Sequence, residues 1–493
     1  VDSPRSLSVY LLVKAGEWQQ LVDLTIDPRN YLERDVTSFS WDYLVTVMLH
    51  KNPRIPLGID RVAVSIGKFY DAEASCGKAN ERLWGFQLGK GHVAPDPDVA
   101  RVLSHARSFI TRILGSLTPR KLEFCEENMR FGPGATTSLS GRVSQGYKYS
   151  KRQLDATPRV ASFFTHCLPA LWRGNSGPDL ALRKSSKLTT VPKNAKTDRC
   201  ICIEPDVNIF VQLGVGALLR DRLRRFGLDL STQRFNQDAA RRAWKEGLAT
   251  LDLSSASDTI SREAVHLLLP PDWVELLLFC RVDSTVYKGE AIELEKWSSM
   301  GNGYTFELET LIFYSILLGA CEDGNVWHAE VLAYGDDLIL PMELVDVVTR
   351  TLDFLGFSVN REKTFGEGLF HESCGADFFC GINVRPFFLR SKDVSFEESM
   401  YQYGNLARRY ASAHLGGIGC DIRLRNFWNS CYRSVPRERR FLIPDGTGDG
   451  GFAVDFDFAS RQQFIQRAAH GWASYRYKFS HRAGIQRESD IRG

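Results

Sequence analysis

The chain has 493 residues, a net charge of +3, 43% hydrophobic and 25% charged residues. No apolar run approaches the roughly 18 residues needed to cross a membrane. That balance excludes a collagenous, disordered or membrane-embedded chain and predicts a soluble globular protein of several domains or lobes. Eleven cysteines, with no C-x-x-C pair, predict reduced thiols in a cytoplasm and no cysteine-held structural metal. The opening VDSPRSLSVYLLVKAG has a short apolar patch broken by Lys14 and lacks a signal-peptide layout.

In chain order, the first ~125 residues predict helices, as in VARVLSHARSFITRILGSL at 99–117, where apolar residues recur at helical spacing. RFGPGATTS (130–138) is a glycine and proline loop. KLTTVPKNAKTDRCICIEP (187–205) predicts two extended segments around a basic turn, and 207–227 a helix ending at Gly227. LATLDL (248–253) predicts a strand, SSAS a turn, and Ser257 or Asp258 the cap of a helix that stops before Pro270. Residues 298–319 predict a glycine loop followed by an apolar helix. EVLAYGDDLILP (330–341) predicts two short strands joined at Gly335-Asp336 in a tight hairpin. Residues 347–364 predict a helix, a glycine turn and a strand leading to Lys363. The last ~100 residues are mixed, with a loop at 443–451.

Charge is unevenly spread. From Arg183 to Lys245 there are 14 Lys and Arg against 6 Asp and Glu. The end, 461–493, has 7 basic and 2 acidic residues, interleaved with Phe464, Trp472, Tyr475, Tyr477 and Phe479. Basic residues alternating with aromatics suit a nucleic-acid backbone and its bases, although either segment alone also fits a solvated surface.

Two acidic positions stand out because both sit at the ends of apolar strands: Asp252, and the pair Asp336-Asp337. Adjacent carboxylates repel, so they either face water at an ordinary turn or await a cation. If the two elements share a sheet, the acids meet at one edge, and such an oxygen set suits Mg²⁺. Each motif alone is weak, since a Gly-Asp turn is common in hairpins. In the order strand-Asp, glycine loop before a helix, hairpin with Asp-Asp, they have the layout of a polymerase palm.

The chain resembles the RNA-dependent RNA polymerases of the leviviruses, the replicase beta subunits of small positive-strand RNA bacteriophages. The resemblance runs through TVPKNAKTDRCICIEP, GVGALLRDRLRRFGLDL, LATLDLSSASDTIS, SSMGNGYTFELETLIF, YGDDLILP, KTFGEGLFHESCG and IPDGTGDGG, about residues 130 to 452. It implies an α+β, right-hand polymerase fold of fingers, palm and thumb with an antiparallel-sheet palm. Residues 1–245 would hold the N-terminal region and fingers. Residues 246–385 would form the palm, with a fingers insertion at about 259–297, and 386–493 the thumb and C-terminal region.

The resemblance also implies roles. Asp252 and Asp336 would be the principal ligands of two Mg²⁺ ions, with Mn²⁺ able to substitute. Asp337 would be a nearby acid with a weaker or water-mediated role, because consecutive side chains on a strand point to opposite faces. Asp258 would sit near the ribose 2′-hydroxyl of the incoming nucleotide. The loop Ser299-Met300-Gly301-Asn302-Gly303 would pass under the templating base, with Asn302 bonding ribose or base. Met300 and Glu309 depart here from the wider RNA polymerase pattern, so its detailed 2′-hydroxyl contacts do not carry over. Lys193, Lys196 and Arg199 would line the nucleotide channel and neutralise the triphosphate. Lys363 would be a general acid for the leaving pyrophosphate. Cys374 would lie in a hairpin, HESCGADFF, that supports the growing 3′ end, as a packing residue and not a nucleophile.

The implied partners are RNA template and product, NTPs, host elongation factors Tu and Ts, and a small-subunit ribosomal protein. No membrane is implied, and the expected place is the cytoplasm of the bacterial host. Two other readings are a reverse transcriptase, against which Asp258 argues, and a non-catalytic RNA-binding protein with a palm-like fold, against which the complete acid set argues.

Overall fold

The computed structural model describes residues 3–90, 94–141, 143–166, 177–326, 330–390, 394–414, 421–459, 464–465, 474–475 and 477–480. Most of the basic and aromatic C-terminal segment expected to meet RNA lies outside the described residues. The N-terminal part is helical as predicted, dominated by Arg61–Gln87 and Pro97–Leu114. The second of these starts where the Asp96 carboxylate accepts from the amides of Asp98 and Val99, and stops at Gly115 (φ 58°). It buries Val99, Val102, Leu103, Ala106, Ile110 and Ile113, the helical stripe seen in the sequence.

That stripe packs on the helix Thr305–Asp323, which is buried on every side and so reads as a continuous apolar run. The approach is close: a Cβ at Gly319 would lie 2.7 Å from the Val102 carbonyl oxygen. The largest core of the protein spreads from this contact through Asp206–Arg225 to the central sheet, each fully buried Leu, Ile or Phe contributing about 1.5–3 kcal/mol.

The central sheet has three antiparallel strands. Asp337–Pro341 lies in the middle, Leu248–Leu251 on one side and Leu332–Tyr334 on the other. Leu338 pairs with Leu251 and Ile339 with Thr250. Leu338 and Leu340 face the large core, while Ile339 packs against Ala239, Ala240 and Ala243 of the helix Arg234–Glu246. Both sheet faces are covered, which is why LIL shows no alternation in the sequence.

The basic hairpin is also as predicted: Ser185–Pro192 pairs antiparallel with Asp198–Ile203. The chain between the strand Leu248–Leu251 and the glycine loop leaves the central sheet and adds Ser284–Tyr287 and Glu290–Glu293 to the basic hairpin, making four strands.

One expectation needs correction. The helix after the first acidic strand is Arg262–Leu268, and Ser261 caps it by accepting from the Ala264 amide, not Ser257 or Asp258. The chain first makes a left-handed residue at Ser255 (φ 56°) and a 3-10 turn, Ala256–Asp258. The Asp258 carboxylate is thereby turned to a lysine, described below. The N-terminal segment also packs against the later chain. Phe39 stacks on Phe379, Ser40 bonds Tyr410, and Leu44 packs with Leu389 and Ala407.

In the C-terminal region, the helices Phe396–His414 and Ile422–Ser434 pack together. The loop 443–451 is anchored to the first of them by Asn405, Arg408 and Arg409, which engage Asp449, Gly451, Asp445 and Asp455. Among the described residues no helix is long and apolar enough to cross a membrane.

Candidate active site

Gly335 and Asp336 form the two-residue turn between the central strands. Gly335 has φ 61°, and a Cβ there would lie 2.8 Å from Phe306 and 2.9 Å from a Glu309 oxygen, so the turn demands glycine twice over. Its amide donates to Thr310 Oγ1 at 2.9 Å, which ties the turn to the helix Thr305–Asp323. One step beyond the Leu338–Leu251 pair, the register brings Asp252 level with Asp337. The strand expected at 248–253 breaks there: Asp252 instead exchanges backbone contact with Asn360, whose amide donates to its carbonyl at 2.8 Å. Three carboxylates therefore share one edge, drawn together by strand pairing alone.

Their neighbours differ. Asp252 Oδ2 accepts from Asn360 Nδ2 at 3.1 Å and lies 3.3 Å from Lys363 Nζ. Asp337 Oδ1 accepts from the Cys374 amide at 3.0 Å, at the tip of the hairpin Phe370–Ser373/Ala376–Phe379. Among the described hydrogen bonds and ion pairs, none from another residue engages the Asp336 carboxylate. Burial, then Asp337 and Asp252, pushes the Asp336 carboxyl up to about 6. Burial also raises Asp337, opposed by the Cys374 amide. Beneath the turn, Glu309 is buried with Oε2 unpartnered, and burial, then Asp336, holds it well above the usual carboxylate range.

Excess negative charge on hard oxygen donors is what a divalent cation would relieve, so the donor set fits such an ion. Among the described residues there is no cluster of three or more His, Cys, Asp or Glu with the spacing of a self-sufficient metal site.

The other expected residues divide. Lys363, in the turn Arg361–Lys363, reaches both Asp252 and Glu372, the latter at 3.9 Å. Burial alone would lower it, but these two carboxylates outweigh burial and keep its ammonium above the ordinary lysine value. Lys193 is lowered by burial first and then by Arg199, Lys363 and Lys68, with Asp252 opposing. Lys193 of the basic turn is thus within electrostatic reach of Asp252 and Lys363. Lys196 does not join this cluster: its ammonium pairs with Asp23, so the N-terminal segment takes the charge expected to meet nucleotide.

In the glycine loop, a Cβ at Gly301 (φ 117°) would lie 2.1 Å from the Cys202 carbonyl oxygen, and the loop is pinned by Cys202 N to Met300 O at 2.9 Å. Gly303 donates to Gln212 Oε1 at 3.1 Å, and the buried Ser299 carbonyl accepts from Thr305 Oγ1 at 3.1 Å. Asn302 Oδ1 accepts from the Tyr304 amide at 2.9 Å, so that oxygen serves the helix entrance. Gly301, Asn302 and Gly303 line a cavity of about 670 Å³ together with Ile201, Ile203 and Tyr334. Cys374 (φ 49°) is buried, and burial raises its thiol, which fits packing and not nucleophilic attack.

Asp258 is held by Lys296, whose Nζ donates to Oδ1 at 2.9 Å. Reading the sequence did not single out Lys296, Glu73, Asn360 or Glu372. The signal for Glu372 was its place beside Cys374 in HESCG, whereas Lys296 is one lysine in ELEKWSS with nothing local to mark it.

Residues 16–487 match the family model described as RNA replicase, beta-chain, and the chain belongs to that family. It is 38% identical over 446 residues to the RNA-directed RNA polymerase subunit beta of Escherichia virus Qbeta, covering 87% of this chain and 72% of that protein. To the RNA-directed RNA polymerase subunit beta of Enterobacteria phage SP it is 40% identical over 439 residues, covering 85% and 72%. Among solved structures, the RNA-dependent RNA polymerase of a human picorbirnavirus aligns with a TM-score of 0.38 and 15% identity, over 64% of this chain and 78% of that one.

Proposed function

We propose that the acidic sheet edge carries out nucleotidyl transfer: the protein is an RNA-directed RNA polymerase that copies an RNA template into RNA in the replication of an RNA phage. The observation that carries the reading is the convergence of Asp252, Asp336 and Asp337 beside Lys363, with Lys193 in electrostatic reach of Asp252. Asp252 and Asp336 would hold two Mg²⁺ ions, or Mn²⁺ in their place, which activate the 3′-hydroxyl and neutralise the phosphates when bound. Asp336 is the freer carboxylate of the hairpin pair, while Asp337 is committed to the Cys374 amide and so locks the hairpin beneath the 3′ end to the metal edge. Lys193 and Arg199 draw the triphosphate in. Lys363, protonated beside Asp252, can donate a proton to the departing pyrophosphate. Asp258 accepts from the ribose 2′-hydroxyl, and the loop 299–303 supports the template.

In this reading residues 246–385 are the palm, the four-stranded sheet around the basic hairpin belongs to the fingers, and 386–493 holds the thumb. The N-terminal segment closes fingers onto thumb through Asp23–Lys196 and the Leu44 cluster. As a beta chain the protein works as one subunit of an assembly, with host elongation factors Tu and Ts and a small-subunit ribosomal protein as the proposed partners, in the host cytoplasm.

The test is RNA-templated incorporation of NTPs with Mg²⁺ by the chain purified with its host subunits, beside the Asp336→Asn variant. Incorporation lost in the variant is the expected result. Equal extension by the variant would refute the site, and efficient dNTP use on RNA would favour reverse transcription.

A further inference from the structure

Lys296 is completely buried, yet it carries an ammonium. Its Nζ donates to Asp258 Oδ1 at 2.9 Å, lies 3.2 Å from Glu73 Oε1, and sits 4.0 Å above the centre of the Phe69 ring. Burial pulls its proton affinity down, but Asp258 and Glu73 outweigh that, so the charge is retained. A buried charge is tolerated only when it is paired, and two carboxylates plus a ring face leave this one a single position.

The backbone around the pair is equally constrained. Ser261 bridges Lys296, and the Trp297 amide donates to the Ile260 carbonyl at 2.7 Å. Glu73 Oε2 accepts from the Glu295 amide at 2.6 Å, and Asn80 Nδ2 donates to the Glu295 carbonyl at 2.9 Å. Both acceptor and donor come from the helix Arg61–Gln87, which thus clamps the segment carrying the lysine.

We propose that Lys296, braced by Glu73, is the positioning residue that sets sugar specificity: it occupies one oxygen of Asp258 and fixes the other as an acceptor for a ribose hydroxyl. This inference rests on the assignment of Asp258 to the ribose. An ionised carboxylate only accepts, so it rewards a hydroxyl and is left unpaired by a 2′-deoxy sugar. The Asp258 side chain is 22% exposed while Lys296 is not exposed at all, so the carboxylate keeps a solvent-facing side and the lysine stays behind it. An unfixed Asp258 could turn to water and lose that discrimination.

The experiment measures single-nucleotide incorporation of NTP and dNTP on an RNA template by the full chain with its subunits. The variants are Asp258→Asn, Lys296→Met, and the double variant Glu73→Gln/Lys296→Met. The double variant removes one positive and one negative charge together and leaves only the partly exposed Asp258 carboxylate, so it is the milder change if Lys296→Met alone fails to fold. The expected result is a fall of about tenfold or more in NTP over dNTP preference, through a higher KM for NTP with dNTP incorporation nearly unchanged. Adding Asp258→Asn to the double variant lowers the preference no further. Equal losses for NTP and dNTP, or an unchanged preference in the folded double variant, would overturn the proposal. If Asp258→Asn itself leaves the preference intact, the assignment of Asp258 is wrong and the proposal falls with it.

Discussion

Asp336→Asn should make the protein more stable and inactive at once. The substitution keeps the shape of the side chain and removes its charge. In the folded protein, burial and the Asp337 and Asp252 carboxylates raise Asp336 from 3.8 to about 6. That is roughly two pKa units, at 1.36 kcal/mol each about 3 kcal/mol, an upper bound on what the ionised group costs the fold near neutral pH. The sign follows from proton linkage. The folded state binds this proton more tightly than the unfolded chain, so the stabilisation is complete below 3.8 and is lost as pH rises through about 6.

Free of divalent ions at neutral pH, Asp336→Asn should therefore unfold about 1–3 kcal/mol harder than the parent, a Tm higher by about 1–3 °C for a chain of this length. The gap should close on acidification. Saturating Mg²⁺ should stabilise the parent more than the variant, because only the parent keeps the ligand. RNA extension should drop by about 10³-fold or more. Thermal unfolding in chelator and in Mg²⁺, beside an extension assay, measures all three quantities. A variant that is less stable than the parent in chelator would refute the electrostatic account, even if activity were lost.

Gly301→Ala should abolish extension: its Cβ would sit 2.1 Å from the Cys202 carbonyl oxygen at a left-handed φ, a strain of about 1–2 kcal/mol before the clash is counted, and normal activity would show that the loop is not held as described. Lys193→Ala with Arg199→Ala should raise the KM for NTP by about tenfold or more while template affinity, measured by filter binding, changes less; the reverse pattern would move these cations to the RNA. Lys363→Met should lower the rate of a single addition by about 10²-fold with little change in template binding, as read by rapid quench, and an unchanged rate would make it a surface cation.

Much of the site was legible because its parts are local. YGDD names its own hairpin, since Gly335 must adopt a positive φ and Leu338 to Leu340 must be buried. The basic turn, the glycine loop and the hairpin at Cys374 are similarly short-range structures, and each formed where its residues indicated. The cap of Arg262–Leu268 was misjudged because Asp258 has a competing partner 38 residues away, and no local propensity reports that. The pairing of Lys196 is unreadable for the same reason: Asp23 comes from a helix 173 residues upstream.

By itself the sequence determined which acids, cations and glycines the protein owns and the strands, loops and turns that present them, because alternation, turn chemistry and positive-φ demands act over a few residues. Only the tertiary structure decided how those groups are shared. It tied Asp337 to the hairpin amide, left the Asp336 carboxylate without a side-chain partner among the described residues, set Lys363 between Asp252 and Glu372, and buried Lys296 behind Asp258. The physical reason is that a carboxylate's charge state and orientation depend on burial and on whichever partner the fold brings within about 4 Å, and chain separation carries no information about that distance.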